Sequence, residues 1–133
     1  MKTNLQTSGI PEGGVLVICE GLLTRLFFDF EAETVPQDGT AQDGTAQDML
    51  YGCENVDVRS RSYGAIVSAI VNDRYGSDAV QAVLSNYEEA RDADSGLAEE
   101  KRAEYLSEYA AFQSWRTHAK EVARKAVALL AGM

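Results

Sequence analysis

From Tyr63 onward the apolar side chains return every third or fourth residue, and a chain with that period has little choice but to form packed helices. Tyr63, Ile66, Val67, Ile70, Val71 and Tyr75 make one stripe, and Ser62 stands where an N-cap belongs. Gly76 is expected to stop this helix and Ser77 to cap the next, whose stripe is Val80, Val83, Leu84 and Tyr87. Together they are expected to form a helical hairpin. After the turn-rich run Asp92-Ala93-Asp94-Ser95-Gly96, residues 97–131 read as one long helix carrying Tyr105, Tyr109, Phe112, Trp115, Ala119, Val122, Ala126 and Leu129. Its early Glu99, Glu100 and Glu104 and its late Arg116, Lys120, Arg124 and Lys125 match the helix macrodipole.

The front of the chain has a different period. Residues 1–14 are polar and hold Gly9, Pro11, Gly13 and Gly14, which predicts a flexible arm. Val15 to Cys19 is continuously apolar, and in the run from Leu22 to Ala32 the residues Thr24, Leu26, Phe28, Phe30 and Ala32 alternate with a more polar set. Two strands follow from this, with Glu20-Gly21 as their hairpin turn. Asn55–Arg59 alternates as a short third strand. Between them, residues 34–50 carry Gln37-Asp38-Gly39-Thr40-Ala41, its copy Gln42-Asp43-Gly44-Thr45-Ala46 and the start of a third copy. A five-residue period fits neither helix nor strand, so this stretch is expected to be a mobile loop. The expected fold is α+β over a single domain, residues 1–133. A small antiparallel sheet of about three strands within 15–60 precedes the hairpin and the long C-terminal helix within 62–131.

Charge narrows the partners. Twenty-one acidic groups against twelve Lys and Arg leave a net charge of −9, and a phosphate backbone meets a repulsive average field. Nucleic acid is therefore not an expected partner. The helices on either side of Gly76 superficially resemble a helix-turn-helix, but the second would present Asp78, Glu88 and Glu89 with Arg91 as its sole cation, so a DNA-binding regulator is the least favoured function. Asp29, Glu31, Glu33, Asp38, Asp43 and Asp48 form a candidate acidic patch in the front half.

The inventory for catalysis is thin, and the chain is not expected to be an enzyme. His118 is the single histidine, and Cys19 and Cys53 are the two cysteines, so no zinc spacing exists. The repeated Asp residues lack the alternate ligands and closing Glu of an EF-hand. No metal and no cofactor are expected. No apolar run approaches the ~18 residues of a membrane span, and the polar N-terminus has no signal-peptide core, so the expected setting is the reducing interior of a cell. Two unpaired thiols suit that setting. The stripe Tyr105, Tyr109, Phe112, Trp115, with Arg116, is the candidate interaction surface. Core packing is its simpler use, but a helix of this length exceeds what one small core covers.

The segments SYGAIVSAIVNDRYGSDAVQAVLSNYEEARD and EYLSEYAAFQSWRTHAKEVARKAVALL resemble small proteins encoded in phages and prophages of gut bacteria, and distantly the helical end domains of phage tail-fibre and tail-accessory proteins. Asn72-Asp73-Arg74-Tyr75 and Phe112-Gln113-Ser114-Trp115-Arg116 are the distinctive pieces, and the likeness spans about residues 53–130. The resemblance implies a non-catalytic phage protein acting through protein contacts with itself or with another virion or host protein. A tail-associated or other virion component is the first expectation. A phage accessory protein that blocks a host defence factor through its acidic surface is the second. No catalytic residues come with the likeness.

Overall fold

A computed structural model describes residues 1–7, 9–32 and 49–133. Four strands, β1 (Lys2–Thr7), β2 (Val15–Glu20), β3 (Leu23–Ala32) and β4 (Met49–Val58), precede three helices, α1 (Tyr63–Arg74), α2 (Ser77–Arg91) and α3 (Glu99–Ala131). The sheet is antiparallel throughout in the order β1-β4-β3-β2, so among the described residues β1 and β2 are its edges. The fold is α+β, as the two hydrophobic periods require.

Side-chain alternation divides the sheet into two faces. Val15, Val17, Leu26, Phe28, Val56 and Val58 point to the helices and pack with Ile66, Ile70, Trp115, Val122 and the alanines 119, 123 and 126. Each fully buried aliphatic side chain contributes roughly 1.5–3 kcal/mol. Three small residues on one face of α3 let its backbone approach the sheet closely. The opposite face carries Phe27, Tyr51 and Cys53, also buried but outside that cluster.

Several local expectations hold. Ser62 caps α1 through its Oγ, which accepts from the Ala65 amide at 3.2 Å, and Ile66 and Ile70 are its buried positions. The long helix runs Glu99–Ala131, close to the predicted bounds.

Others are corrected. The arm expected at 1–14 contains β1, which pairs with β4 from Lys2↔Glu54 to Thr7↔Met49. Thr3, Leu5 and Thr7 are half-buried and alternate with exposed Lys2, Asn4 and Gln6. That alternation is present in the sequence, but its weak apolarity hides it. The sheet therefore has four strands. The third strand of the sequence reading is β4 and begins at Met49, six residues earlier than its pattern suggests, because pairing on both sides extends it.

The β2–β3 turn is Gly21-Leu22, not Glu20-Gly21, since Glu20 pairs with Leu23. Gly21 has φ 61° and occupies the first central position, where a two-residue hairpin needs a glycine. At the next junction Gly76 is itself the N-cap of α2 and Ser77 is already helical, with no side-chain cap. α1 and α2 follow one another across a short turn as expected, and each packs on α3. Trp115 meets Ile70 and Arg74, Phe112 meets Tyr75, Tyr109 meets Tyr87, and Arg102 meets Ala90, so the contacts descend α3 toward its N-terminus. The loop expected at 34–50 lies, up to Asp48, outside the described residues. Among those described, no helix is long and apolar enough to cross a membrane.

Candidate functional site

Thirty-three residues make α3 about 50 Å long, and the sheet and α1 cover only its C-terminal half. Every buried residue of α3 lies between Phe112 and Ala126. Toward its N-terminus the helix carries α2, and α2 buries only Ala90 in fifteen residues. These two antiparallel pieces form an arm that extends beyond the core.

The arm is held by a short list of contacts. Tyr87 and Tyr109 stack with ring centroids 3.6 Å apart and planes 8° from parallel. The Arg102 guanidinium donates to the carbonyl of Ala90, where α2 ends, and to that of Asp92 at 3.2 Å. Val80, Val83 and Tyr105 are half-buried along the seam, while Leu84 and Leu106 are 42% and 41% exposed. With 100° per residue and antiparallel axes, Leu84 and Leu106 fall on the same side of the pair. Ala103 and Ala110 share the Leu106 stripe. That flank of the arm thus exposes two leucines and two alanines beside the polar Gln81 and Glu88.

The candidate interaction residues separate accordingly. Phe112 and Trp115 are buried and offer no surface. The Phe112 ring meets Tyr75 edge-on at 5.0 Å. Trp115 Nε1 donates to the Ile70 carbonyl at 3.1 Å, and the Arg74 guanidinium lies 3.5 Å from its ring centroid. Tyr105 and Tyr109 are half-buried on the arm, and Arg116 is half-buried, donating to Gln113 Oε1 at 3.1 Å. The stripe is core at one end and arm at the other.

A second cluster was not visible in the sequence. Between Phe28 and Glu31 the β3–β4 register slips by one residue, and within this bulge Asp29 has φ 56°. Its carboxylate meets His118 Nε2 at 2.6 Å, an approach between residues 89 positions apart. Both side chains remain about 40% exposed. Bulges re-aim side chains in this way. On the other side of Asp29 a polar cleft of about 550 Å³ is lined by Glu31, Cys53, Glu54, Arg74, Lys2 and Asn4, among others. Glu54 is nearly buried and accepts from Arg74 Nη2 at 3.4 Å. Burial pushes the Cys53 thiol above its ordinary pKa, and the neighbouring Glu54 charge adds to that. A carboxylate orienting an imidazole is half of a hydrolytic triad, but no serine, threonine or cysteine hydroxyl or thiol is seen hydrogen-bonded to His118 among the described residues. No three metal-ligating side chains converge there either. Lone residues far apart in the chain carry no local signal, which is why spacing did not reveal them.

Of the candidate acidic patch, Asp29 and Glu31 are exposed beside this cleft, while Glu33, Asp38, Asp43 and Asp48 lie outside the described residues. The arm is acidic as well. Residues 77–108 hold nine carboxylates against three cations, and residues 109–133 hold one against four. No protein-family model matches this chain, nor does any curated protein or solved structure.

Proposed function

We propose that this is a non-catalytic bacteriophage protein that works by protein–protein contact, as a tail-associated or other virion component. The arm carries the proposal. A fifteen-residue helix that fully buries one alanine leaves most of its surface open to a partner. Leu84 and Leu106, both exposed on one flank of the arm, supply apolar surface that a partner would complete. The phage setting rests on the resemblance read from the sequence of residues 62–92 and 104–130. Mass spectrometry of purified virions tests it: stoichiometric presence of the chain is expected, and particles assembled with Leu84→Asn/Leu106→Asn should lack it. Virions that never contain the chain would refute the structural role.

A second reading, an accessory protein that occupies a basic host factor, is favoured by the charge of the arm, net −6 over residues 77–108. It requires binding that weakens steeply with salt. Neutralising Glu99, Glu100, Glu104 and Glu108 to Gln would then abolish capture by that factor, and unchanged capture would end this reading.

A further inference from the structure

We infer that β2 is a pairing edge for a second copy of this chain, joining two sheets antiparallel across a two-fold axis. Among the described residues β2 exchanges backbone hydrogen bonds with β3 alone, and none of its residues takes part in any other main-chain bond. Among those residues nothing fills its outward row of N–H and C=O groups. Natural edge strands are usually blunted by a lysine, a proline, a bulge or very short length. β2, with the sequence Val15-Leu16-Val17-Ile18-Cys19-Glu20, has none of these over six residues, a length of about 20 Å.

The side chains select the occupant. Val15 and Val17 point to the helices and are buried, while Leu16 and Ile18 point to the opposite face, where Ile18 is 37% exposed. A strand laid alongside must then be apolar on both of its faces. Of the four strands, β2 best has that property, so its own copy is the fitting partner. Antiparallel pairing that keeps the two faces in phase places either Val17 or Ile18 on the two-fold axis. In neither register does Glu20 face another carboxylate of β2.

The ends of the strand match as well. Beside Val15 lies a mostly apolar hollow of about 260 Å³, rimmed by Ala128 and the exposed Leu129 of α3 together with the charged Glu12 and Lys125. At the other end of the strand the Cys19 sulfur stands 3.9 Å from that of Met133, which is largely exposed. Antiparallel pairing brings the Cys19 end of one copy to the Val15 end of the other, so Met133 of each faces the hollow of its mate.

This inference is independent of the arm, and its test reads a different quantity. Sedimentation velocity of the full chain over a concentration series is expected to show a monomer–dimer equilibrium. Ile18→Lys and Ile18→Glu, at an exposed position that tolerates charge, should each keep the native circular dichroism and weaken association by about tenfold or more, because like charges then lie opposite or diagonal across the seam. An equimolar mixture of the two variants should restore the dimer through Lys–Glu pairs. A strict monomer up to about 100 μM, well above the micromolar range of ordinary specific pairs, would overturn the inference. A dimer that survives Ile18→Lys but is lost in Leu84→Asn/Leu106→Asn would overturn it too and assign self-association to the arm. Failure of the mixture to recover would show that the two Ile18 positions do not meet.

Discussion

Asp29 is where backbone, sheet register and the single histidine coincide, and substitution there separates their contributions. A left-handed φ costs an ordinary L-residue roughly 1–2 kcal/mol, and Asp and Asn tolerate it better than most through local hydrogen bonding. The His118 contact is short, but with both side chains about 40% exposed it is screened by water and contributes about 0.5 kcal/mol. Asp29→Ala loses the tolerance and the contact, an expected destabilisation of about 1.5 kcal/mol. Asp29→Gly loses only the contact while gaining backbone freedom in the unfolded chain, an expected loss of about 0.5–1 kcal/mol. Asp29→Asn retains the φ preference and an acceptor for the imidazole, so it should fall within about 0.5 kcal/mol of the parent. Urea unfolding followed by far-ultraviolet circular dichroism reads these values directly. At a slope of about 1.5 kcal/mol per molar urea, the alanine midpoint should drop by about 1 M. Repeating the series in His118→Ala isolates the contact as a double-mutant cycle. Alanine as stable as or more stable than glycine would refute the left-handed bulge, and a coupling of zero between positions 29 and 118 would remove the pairing.

Ile70→Ala, which empties a fully buried site under the sheet, should cost about 2–5 kcal/mol, whereas Leu84→Ala on the open flank of the arm should stay within about 0.5 kcal/mol; comparable losses in thermal unfolding would mean that the arm is packed like the core. Trp115→Phe removes the donor to the Ile70 carbonyl and the larger ring under Arg74, and should lower stability by about 2 kcal/mol in the same urea assay, with no change meaning that the indole bond contributes nothing. Cys53 holds its proton more tightly folded than unfolded, so its stabilisation is intact below the ordinary thiol range and fades as pH rises above about 8.5 toward the raised folded value. Urea midpoints at neutral and alkaline pH should therefore diverge more for the parent than for Cys53→Ala, and parallel curves would contradict the burial of that thiol.

Amino-acid order alone determined the helical half. Helical hydrogen bonds and stripes join residues three or four apart, so Ile66, Ile70 and the Ser62 cap announce α1 without reference to anything distant. It determined the β2–β3 hairpin nearly as well, missing its turn by one residue, because a two-residue loop is local too. Tertiary structure decided the rest. Lys2–Thr7 is a strand because β4, more than forty residues away, offers it a ladder, and its own side chains are too polar to declare it. α2 lies on α3, and the aromatic stripe of α3 divides into buried Phe112 and Trp115 and half-open Tyr105 and Tyr109, because the sheet ends where the helix does not. The meeting of Asp29 with His118 depends on one extra residue in a ladder, a displacement that no periodicity records.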